Sequence, residues 1–400
     1  MSLLNKLGTV SADGPRPASL TRLRVALTVF FALDGFVFAG WVVRIPAIKE
    51  QTGASASQLG LALLGVSAGA VVTMMLTGRL CRRFGSHAVT VACGVLLPLT
   101  VLLPPLTHSP LALGLVLLAF GAAYGGINVA MNSAAVDLVA ALRRPVMPSF
   151  HAAFSLGGMV GSGLGGLVAA HLSPTRHLLG ITVIGLVVTA VTAPTLLRTP
   201  APRPPEGIRT PAGSRPIDRR VRGLVLVFGL IALCTAYGEG ALADWSALHM
   251  EQDLHAHPGV AAASYSCFAF AMTIGRLSGT SLLERLGRAR TVVFGGATGA
   301  AGMLLGSLAP WAWLALVGFA ITGLGLANIF PVAVERAGAL AGPTGVAAAS
   351  TLGYGGMLLG PPAIGFMADW FSLPAALTSV ALLAAVAATI GFATRRSATV

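Results

Sequence analysis

The sequence predicts an all-α membrane protein in which twelve transmembrane helices form two pseudo-symmetric six-helix halves. Three observations predict this fold class. Hydrophobic residues make up 55% of the 400-residue chain and charged residues only 10%, apolar stretches long enough to cross a bilayer recur along it, and the second half repeats features of the first. A soluble domain carries about a quarter of its residues as charges. A chain this poor in charge must therefore present most of its surface to lipid.

Each predicted span is an apolar stretch of about 20 residues, the length of helix that crosses the hydrocarbon core. The predicted spans are 25–43, 57–77, 88–107, 110–135, 147–171, 177–197, 222–249, 258–280, 291–309, 311–334, 343–368 and 372–394. They divide the chain into an N-terminal tail (1–24), a first half (25–197), a linker (198–221), a second half (222–394) and a C-terminal tail (395–400). The linker is rich in arginine and proline, which is typical of an extended connection.

The placement of lysine and arginine predicts the orientation of the chain. Cytoplasmic loops carry an excess of these residues, and of the 26 in the chain only Arg44, Lys49 and Arg176 fall in the predicted outer loops. Both termini are therefore expected in the cytoplasm. Arginine greatly outnumbers lysine, which indicates a GC-rich bacterial source, so the expected location is the bacterial inner membrane.

The two halves share short sequence features in register, which predicts a duplicated architecture. Four pairs of features carry the repeat. They are Gly-Trp at 40–41 with Asp-Trp at 244–245, Arg-Phe-Gly at 83–85 with Arg-Leu-Gly at 285–287, Asn128 with Asn328, and Gly-Gly-Met at 157–159 with Gly-Gly-Met at 355–357. Duplicated halves of like orientation are the architecture of transporters that rock around a central site.

The loop after the second predicted span resembles a known family motif. Residues 78–85 read Gly-Arg-Leu-Cys-Arg-Arg-Phe-Gly, which is similar to the Gly-x-Leu-x-Asp-Arg-x-Gly motif of the major facilitator superfamily. Residues 282–288, after the eighth span, form a second copy. The resemblance implies the twelve-span fold of that superfamily and a monomeric transporter. In a narrower match, residues 41–46 are similar to a bacterial branch of largely uncharacterised permeases, distantly like sugar permeases.

Two departures from the family pattern bear on mechanism. The acidic position of the first loop motif is occupied by Arg82, so any charge relay there must differ. In the fifth span the Gly-Pro pair of antiporters is replaced by Gly161-Ser162, although glycine recurs at Gly165 and Gly166. The glycine face is kept and the proline is lost, which favours export without establishing it.

Two carboxyl groups at bilayer depth are predicted to couple transport to protons. Ionisable residues inside the membrane are costly, so each calls for a partner or a function. Asp34 lies near the middle of the first span, and Glu239 lies in the seventh span between two glycines. The alternative for either is a structural acid bonded to a neighbouring helix. Asp244 lies a turn nearer the outside, where a charge is cheaper, and its role stays open.

Polar side chains within the spans are predicted to line a solute cavity. Asn128 and Asn132 are four residues apart and share one helix face, while Asn328 is the repeat counterpart of Asn128. A buried tyrosine hydroxyl needs a hydrogen-bond partner, and all four tyrosines fall inside predicted spans. They are Tyr124, Tyr237, Tyr265 and Tyr354. The alternative for each of these residues is packing between helices.

The family resemblance also implies a cytoplasmic gate. In the superfamily, acids at the cytoplasmic ends of the fourth and tenth spans meet the loop-motif arginines when that side is closed. The corresponding hypothesis here joins Asp137 and Glu335 to Arg83 and Arg285. The alternative is that these are isolated interfacial charges.

These observations favour a proton-coupled secondary transporter whose partners are protons, membrane lipid and a small solute. Because no lysine or arginine is expected at mid-span, the predicted solute is neutral or cationic, with efflux favoured over uptake of a neutral, sugar-like solute. No catalytic constellation, cofactor motif or metal motif is found, so an enzyme is not expected; a non-transporting sensor is the third alternative. The net charge of +13 does not indicate a nucleic-acid partner, because the basic residues are scattered between spans.

Overall fold

The computed structural model describes residues 17–54, 56–169, 171–202 and 218–394. Within these residues the chain is almost entirely helical and contains no strand. The helices are α1 (Pro17–Val42), α2 (Ile45–Thr52), α3 (Ala56–Phe84), α4 (Ser86–Val101), α5 (Pro110–Leu142), α6 (Met147–Ala169), α7 (Pro174–Arg198), α8 (Arg219–Gln252), α9 (Pro258–Leu286), α10 (Arg288–Ser307), α11 (Ala312–Leu326), α12 (Ile329–Trp370) and α13 (Leu373–Ala393). Most of both predicted tails and of the predicted linker lies outside the described residues.

These helices give the twelve predicted spans once two irregularities are taken into account. Helix α2 has 8 residues, too few to cross a bilayer, and follows the first span at its predicted outer end. Helix α12 is interrupted at Ala341 and Gly342, where Gly342 has φ 56°. Glycine adopts this left-handed conformation without a Cβ penalty, and the following Pro343 suits the first turn of a new helix. The tenth span is therefore α11 with the first part of α12, and the eleventh is the remainder of α12.

A serine with a proline one or two residues later begins several helices at the predicted outer side. The hydroxyl oxygen of Ser109 accepts a hydrogen bond from the backbone N–H of Ala112 at 3.3 Å, and Ser372 caps α13 through the N–H of Ala375 at 3.3 Å. Such caps satisfy backbone donors that the first turn leaves without partners. A proline in the first turn has no N–H to satisfy. The local sequence thus sets where these spans begin.

The packing within each half follows one pattern. In the first half α1 packs on α6, α3 on α5, and α4 on α7; in the second half α8 packs on α12, α9 on α11, and α10 on α13. Within each half, therefore, the first span packs on the fifth, the second on the fourth and the third on the sixth. The all-α fold of two related six-helix halves predicted from the sequence is therefore confirmed.

Glycine determines the closest helix contacts in both halves. Gly157 and Gly161 lie against the backbone of α1 at Ala32 and Phe36. In the second half, Gly356 lies against the backbone of α8 at Leu233. Small residues at such crossings let two backbones approach closely. The glycine face of the fifth span, which the sequence associates with export, thus packs α6 on α1.

Large apolar side chains cover the outside of the bundle. Leu115, Leu167 and Val191 are 64%, 75% and 74% exposed, respectively. Eight helices within the described residues are long and apolar enough to cross a membrane, the longest of these stretches joining the tenth and eleventh spans. An apolar surface of this extent is stable in lipid rather than in water.

Candidate functional site

A cavity of about 990 Å³ lies between the two halves. Its walls are formed by α1, α5 and α6 from the first half and by α8, α9 and α12 from the second. At one end Phe31 and Phe330 close it, and it extends along α1 and α6 as far as Val43 and Gly163 near their other ends. Its position between the halves is that of a solute site in a transporter that rocks about its centre.

The halves contact each other at the end that carries the two loop motifs. A Cβ atom added to Gly78 on α3 would lie 3.0 Å from the carbonyl oxygen of Pro343 on α12, and one added to Gly279 on α9 would lie 2.5 Å from Cβ of Pro148 on α6. Each contact places a glycine of one half against a proline of the other. The cavity is therefore closed toward the loop motifs.

Two polar contacts reinforce this closure. Arg144 and Glu284 form an ion pair of 2.8 Å between the halves, and the guanidinium of Arg82 donates a hydrogen bond to the hydroxyl of Thr344. Arg82, which occupies the acidic position of the family motif, thus acts as a hydrogen-bond donor to α12.

An arginine on α9 joins the two halves at the floor of the cavity. Nη1 of Arg276 donates a hydrogen bond of 2.7 Å to Oγ of Ser155 on α6, and Nη2 lies 3.4 Å from Oε2 of Glu239 on α8. The side chain of Glu239 is 27% exposed and that of Arg276 only 8%. The guanidinium is therefore held within the floor, while the carboxylate borders the cavity.

Two polar residues of the cavity lining each have one side-chain atom without a partner in the part of the chain that the structure describes. Among the described residues, Nε2 of His151 and Oδ1 of Asn128 are buried and have no hydrogen-bond partner, and both residues line the cavity. The Asn128 amide donates to the Tyr354 hydroxyl at 3.5 Å. A buried polar group without a partner costs free energy, and within the described ranges these two atoms lack a compensating hydrogen bond in this conformation.

Aromatic rings form much of the remaining wall. Phe31 and Phe330 flank the imidazole of His151, with centroids 5.4 and 5.8 Å away, and Tyr124 packs edge-on against Tyr354 at 6.0 Å. Tyr265 also lines the cavity. A pocket of this composition, largely apolar with a few convergent polar groups, is typical of a small-molecule site.

Asp34 does not reach this cavity in the structure. The residue is 0% exposed, and neither carboxyl oxygen has a hydrogen-bond partner among the described residues. It lies within electrostatic range of Cys93 on α4 and Tyr124 on α5. Asp34 therefore does not border the cavity in this conformation, and its role in proton coupling stays a prediction.

Three further predicted cavity residues pack between helices. The amide of Asn132 donates to the backbone oxygen of Asn128 at 2.8 Å, and that of Asn328 donates to the oxygen of Gly275 at 2.9 Å. The Tyr237 hydroxyl pairs with Ser379 at 2.9 Å. Each side chain finds its partner on its own or an adjacent helix, so none of the three lines the cavity in this conformation.

The predicted gate pairs are not formed in this conformation. Glu335 pairs with Arg288 at 2.5 Å, and the guanidinium of Arg83 lies 5.2 Å from the Phe84 ring. Among the described residues, no ion pair joins Arg83 to Asp137 or Arg285 to Glu335. The cross-half ion pair on this side is formed by Arg144 and Glu284.

Sequence reasoning missed the polar floor. Arg276 was expected near a cytoplasmic helix end because the eighth span was predicted to stop at residue 280, whereas α9 continues to Leu286. The expectation that no basic residue reaches the interior is therefore wrong. No sequence motif or spacing marks His151 or Ser155 as part of this site. The one available signal is that a histidine at the start of a span is the kind of residue that a deep polar site uses.

Together, the twelve spans, the two related halves and the central cavity define a multi-pass membrane transporter. A sequence model of the Major Facilitator Superfamily matches residues 25–247 and 228–399, and the chain belongs to that superfamily. An uncharacterized MFS-type transporter of Yersinia pestis is 34% identical over 90% of this chain and 92% of its own length. The uncharacterized transporter y4wD of Sinorhizobium fredii is 34% identical over 90% of this chain and 95% of its own.

The fold is also similar to that of solved transporters. The crystal structure of the MFS transporter FucP in the outward conformation has a TM-score of 0.77, with 17% identity, covering 94% of this chain and 99% of that one. A bacterial homologue of the iron transporter ferroportin in the outward-facing state has a TM-score of 0.70, with 14% identity, covering 94% of this chain and 99% of that one. At such identities the similarity shows the fold.

Proposed function

We propose that this protein is a proton-coupled secondary transporter that moves a small solute across the bacterial inner membrane by alternating access, with the solute bound in the central cavity. The ion pair of Glu239 and Arg276 carries the proposal. An acid and a base at bilayer depth, beside a cavity shared by two mobile halves, are the usual components of proton coupling. The carboxylate borders the cavity, so a proton can reach it from there.

The orientation predicted from lysine and arginine makes this an outward-facing state. The loop motifs then lie on the cytoplasmic side, where the halves touch at Gly78 and Pro343 and at Gly279 and Pro148. Opening to the cytoplasm requires these contacts to separate. Asp34, sealed in this state, takes part in coupling only if another conformation opens the wall between α1 and α5.

The direction of transport has two candidates. The sequence favours efflux through the glycine face of the fifth span, but Gly161 of that face is accounted for by the packing of α6 on α1. Uptake by symport is favoured by the charge of the cavity floor. Because Arg276 already neutralises Glu239, the floor offers no unpaired carboxylate that would draw in a cation for antiport.

Solute flux in proteoliposomes tests the proposal. An imposed pH gradient, acidic on the outer side, should drive accumulation of a solute from pools of small carboxylates, hexoses and organic cations. Glu239→Gln should abolish gradient-driven accumulation and keep solute exchange, since exchange needs no net proton movement. Asp34→Asn should share that behaviour if Asp34 is a coupling group. Unimpaired gradient-driven accumulation by Glu239→Gln would remove the coupling assignment.

A further inference from the structure

The floor of the cavity contains two formal charges that cancel. Arg276 and Glu239 contribute one charge each, and their facing atoms are 3.4 Å apart. A well-formed charge-assisted hydrogen bond of this kind is about 2.7–2.9 Å long. The pair is therefore loosely made, and Glu239, with 27% of its side chain exposed, has room to turn away from the guanidinium.

A proton taken up by Glu239 removes this balance. The carboxylate becomes a neutral acid and Arg276 keeps its positive charge, because guanidinium does not lose its proton in proteins. An uncompensated charge inside a protein is strongly destabilising. A neutral solute would leave that charge in place, and a cationic solute would add to it. A monoanion would restore neutrality.

We infer that Arg276 binds the anionic group of the solute when Glu239 is protonated, and that the solute is a small monocarboxylate with an apolar body. The inference rests on the proposed function and names the substrate class for the same cavity. Glu239 and the solute are then alternative partners of one guanidinium. Proton and anion enter the floor together, so its charge stays zero in both states of the cycle.

The surroundings of Arg276 fit a planar carboxylate. Nη1 is anchored on Ser155 and Nε donates to the backbone oxygen of Ala327 at 3.4 Å, which leaves Nη2 to exchange the Glu239 carboxylate for that of a solute. The unpartnered Nε2 of His151 lies in the same part of the cavity. Phe31 and Phe330, on either side of that imidazole, offer apolar surface to the body of the solute.

Protonation of Glu239 should make solute binding depend on pH, and few other groups could cause such a dependence. Charged or titratable groups from the neighbouring helices also face this pair. They are Tyr265 on α9, Tyr124 on α5, Tyr354 on α12, His151 on α6 and, on the same helix as Glu239, Asp244. The three tyrosines are neutral near physiological pH. His151 and Asp244 are therefore the groups from which the role of Glu239 must be separated.

Binding of three probes of matched size to the purified full-length protein tests the inference. Benzoate, benzamide and benzylammonium share a ring and differ in charge. The wild type should bind benzoate at least about tenfold more tightly in acidic than in mildly alkaline buffer. A change in affinity of this size is typical of two coupled binding sites. Benzamide and benzylammonium should bind more weakly than benzoate in acidic buffer. Isothermal titration calorimetry gives the affinities directly.

Variants assign the effect to residues. Glu239→Gln should bind benzoate tightly in both buffers. Arg276→Gln should lose benzoate binding in both. If Arg276→Gln fails to fold, Arg276→Lys, which keeps the positive charge, should bind benzoate more weakly than the wild type. His151→Gln and Asp244→Asn should each retain the pH dependence. The inference is overturned if the wild type binds no benzoate, if benzamide or benzylammonium binds as well, or if Glu239→Gln remains pH-dependent. Proton-driven flux of a neutral or cationic solute would overturn it while leaving the proposed function intact.

Discussion

Arg276 on α9 and Ser155 on α6 are hydrogen-bonded across the two halves of the protein, with Nη1 2.7 Å from Oγ. The Ser155 hydroxyl in turn donates to the backbone oxygen of His151 at 3.1 Å. The serine is thus fixed by its own helix while it accepts from the other half. This bond lies between the cavity and the glycine–proline contacts, where opening toward the loop motifs would have to break it.

Ser155→Ala should weaken closure of the halves at the loop-motif side. A hydrogen bond to a charged group contributes about 1.5–3 kcal/mol, so the closed population should fall by about tenfold to a hundredfold relative to the open one. Spin labels on cysteines placed at the exposed positions Arg83 and Arg285, with the native cysteines replaced, report the separation by double electron–electron resonance. Thr273→Ala, also on the cavity wall but bonded only within its own helix, is the matched control. An unchanged distance distribution for Ser155→Ala would contradict the role given to this bond.

Gly78→Leu should separate the halves at the same side. Even a Cβ atom at this position would lie 3.0 Å from the Pro343 oxygen and 3.1 Å from Cβ of Ala347, so a leucine side chain cannot be accommodated without moving α12. Overpacking of this kind costs about 1–3 kcal/mol, and here only the closed state bears the cost. The same spin labels should show a longer mean distance.

Gly166→Leu is the control for that substitution. No atom lies within 4 Å of the position that a Cβ would take at Gly166, so the added side chain meets open space and the distance should not change. An equal increase in the spin-label distance in both variants would show that leucine acts through general effects on the helix. An unchanged distance in both would show that the contact at Gly78 does not control closure.

The helical architecture could be predicted from the sequence because it depends on apolar length and on loop charge. Those signals are local, and the break at Ala341 and Gly342 lies where a glycine–proline pair precedes the eleventh span. The site could be predicted only in part. Glu239, Asn128 and Tyr354 lie on the cavity wall, where they were expected. Asp34 is buried and does not line the cavity, because the face that a residue takes depends on how its helix packs.

The polar floor shows the second limit of prediction from sequence. Arg276 reaches the interior because α9 extends about two turns beyond its predicted end, and helix length beyond the apolar core leaves no apolar signal. Asn132 and Asn328 bond to backbone oxygens on their own or an adjacent helix, partners that only the folded arrangement supplies. The sequence thus shows that a polar residue within a span needs a hydrogen-bond partner, but it does not show which group that partner is.

His177→Ala should lower the stability of the first half. Nε of the buried Arg44 donates to Nδ1 of His177 at 2.8 Å, and Nη2 approaches the backbone oxygen of Val168 at 3.4 Å, so this residue ties the end of α1 to α6 and α7. Removing the imidazole takes away one acceptor of a buried guanidinium, which costs about 1–3 kcal/mol. Thermal unfolding in detergent should show a melting temperature lower by several degrees. His171→Ala, at an exposed position nearby, should leave it unchanged, and a similar loss in both variants would mean that the Arg44 contact is not the cause.

The native cysteines should report which side of the membrane the cavity opens to. Cys267 lines the cavity, whereas Cys81, Cys93 and Cys234 are buried. A membrane-impermeant methanethiosulfonate added outside intact cells should therefore modify Cys267 and spare the other three, because the orientation predicted from lysine and arginine turns the open end outward. Mass spectrometry of the purified protein identifies the modified residue, and Cys267→Ser should abolish the signal. Modification of Cys267 only in inverted vesicles would reverse the orientation, and with it the assignment of the glycine–proline contacts to the cytoplasmic side.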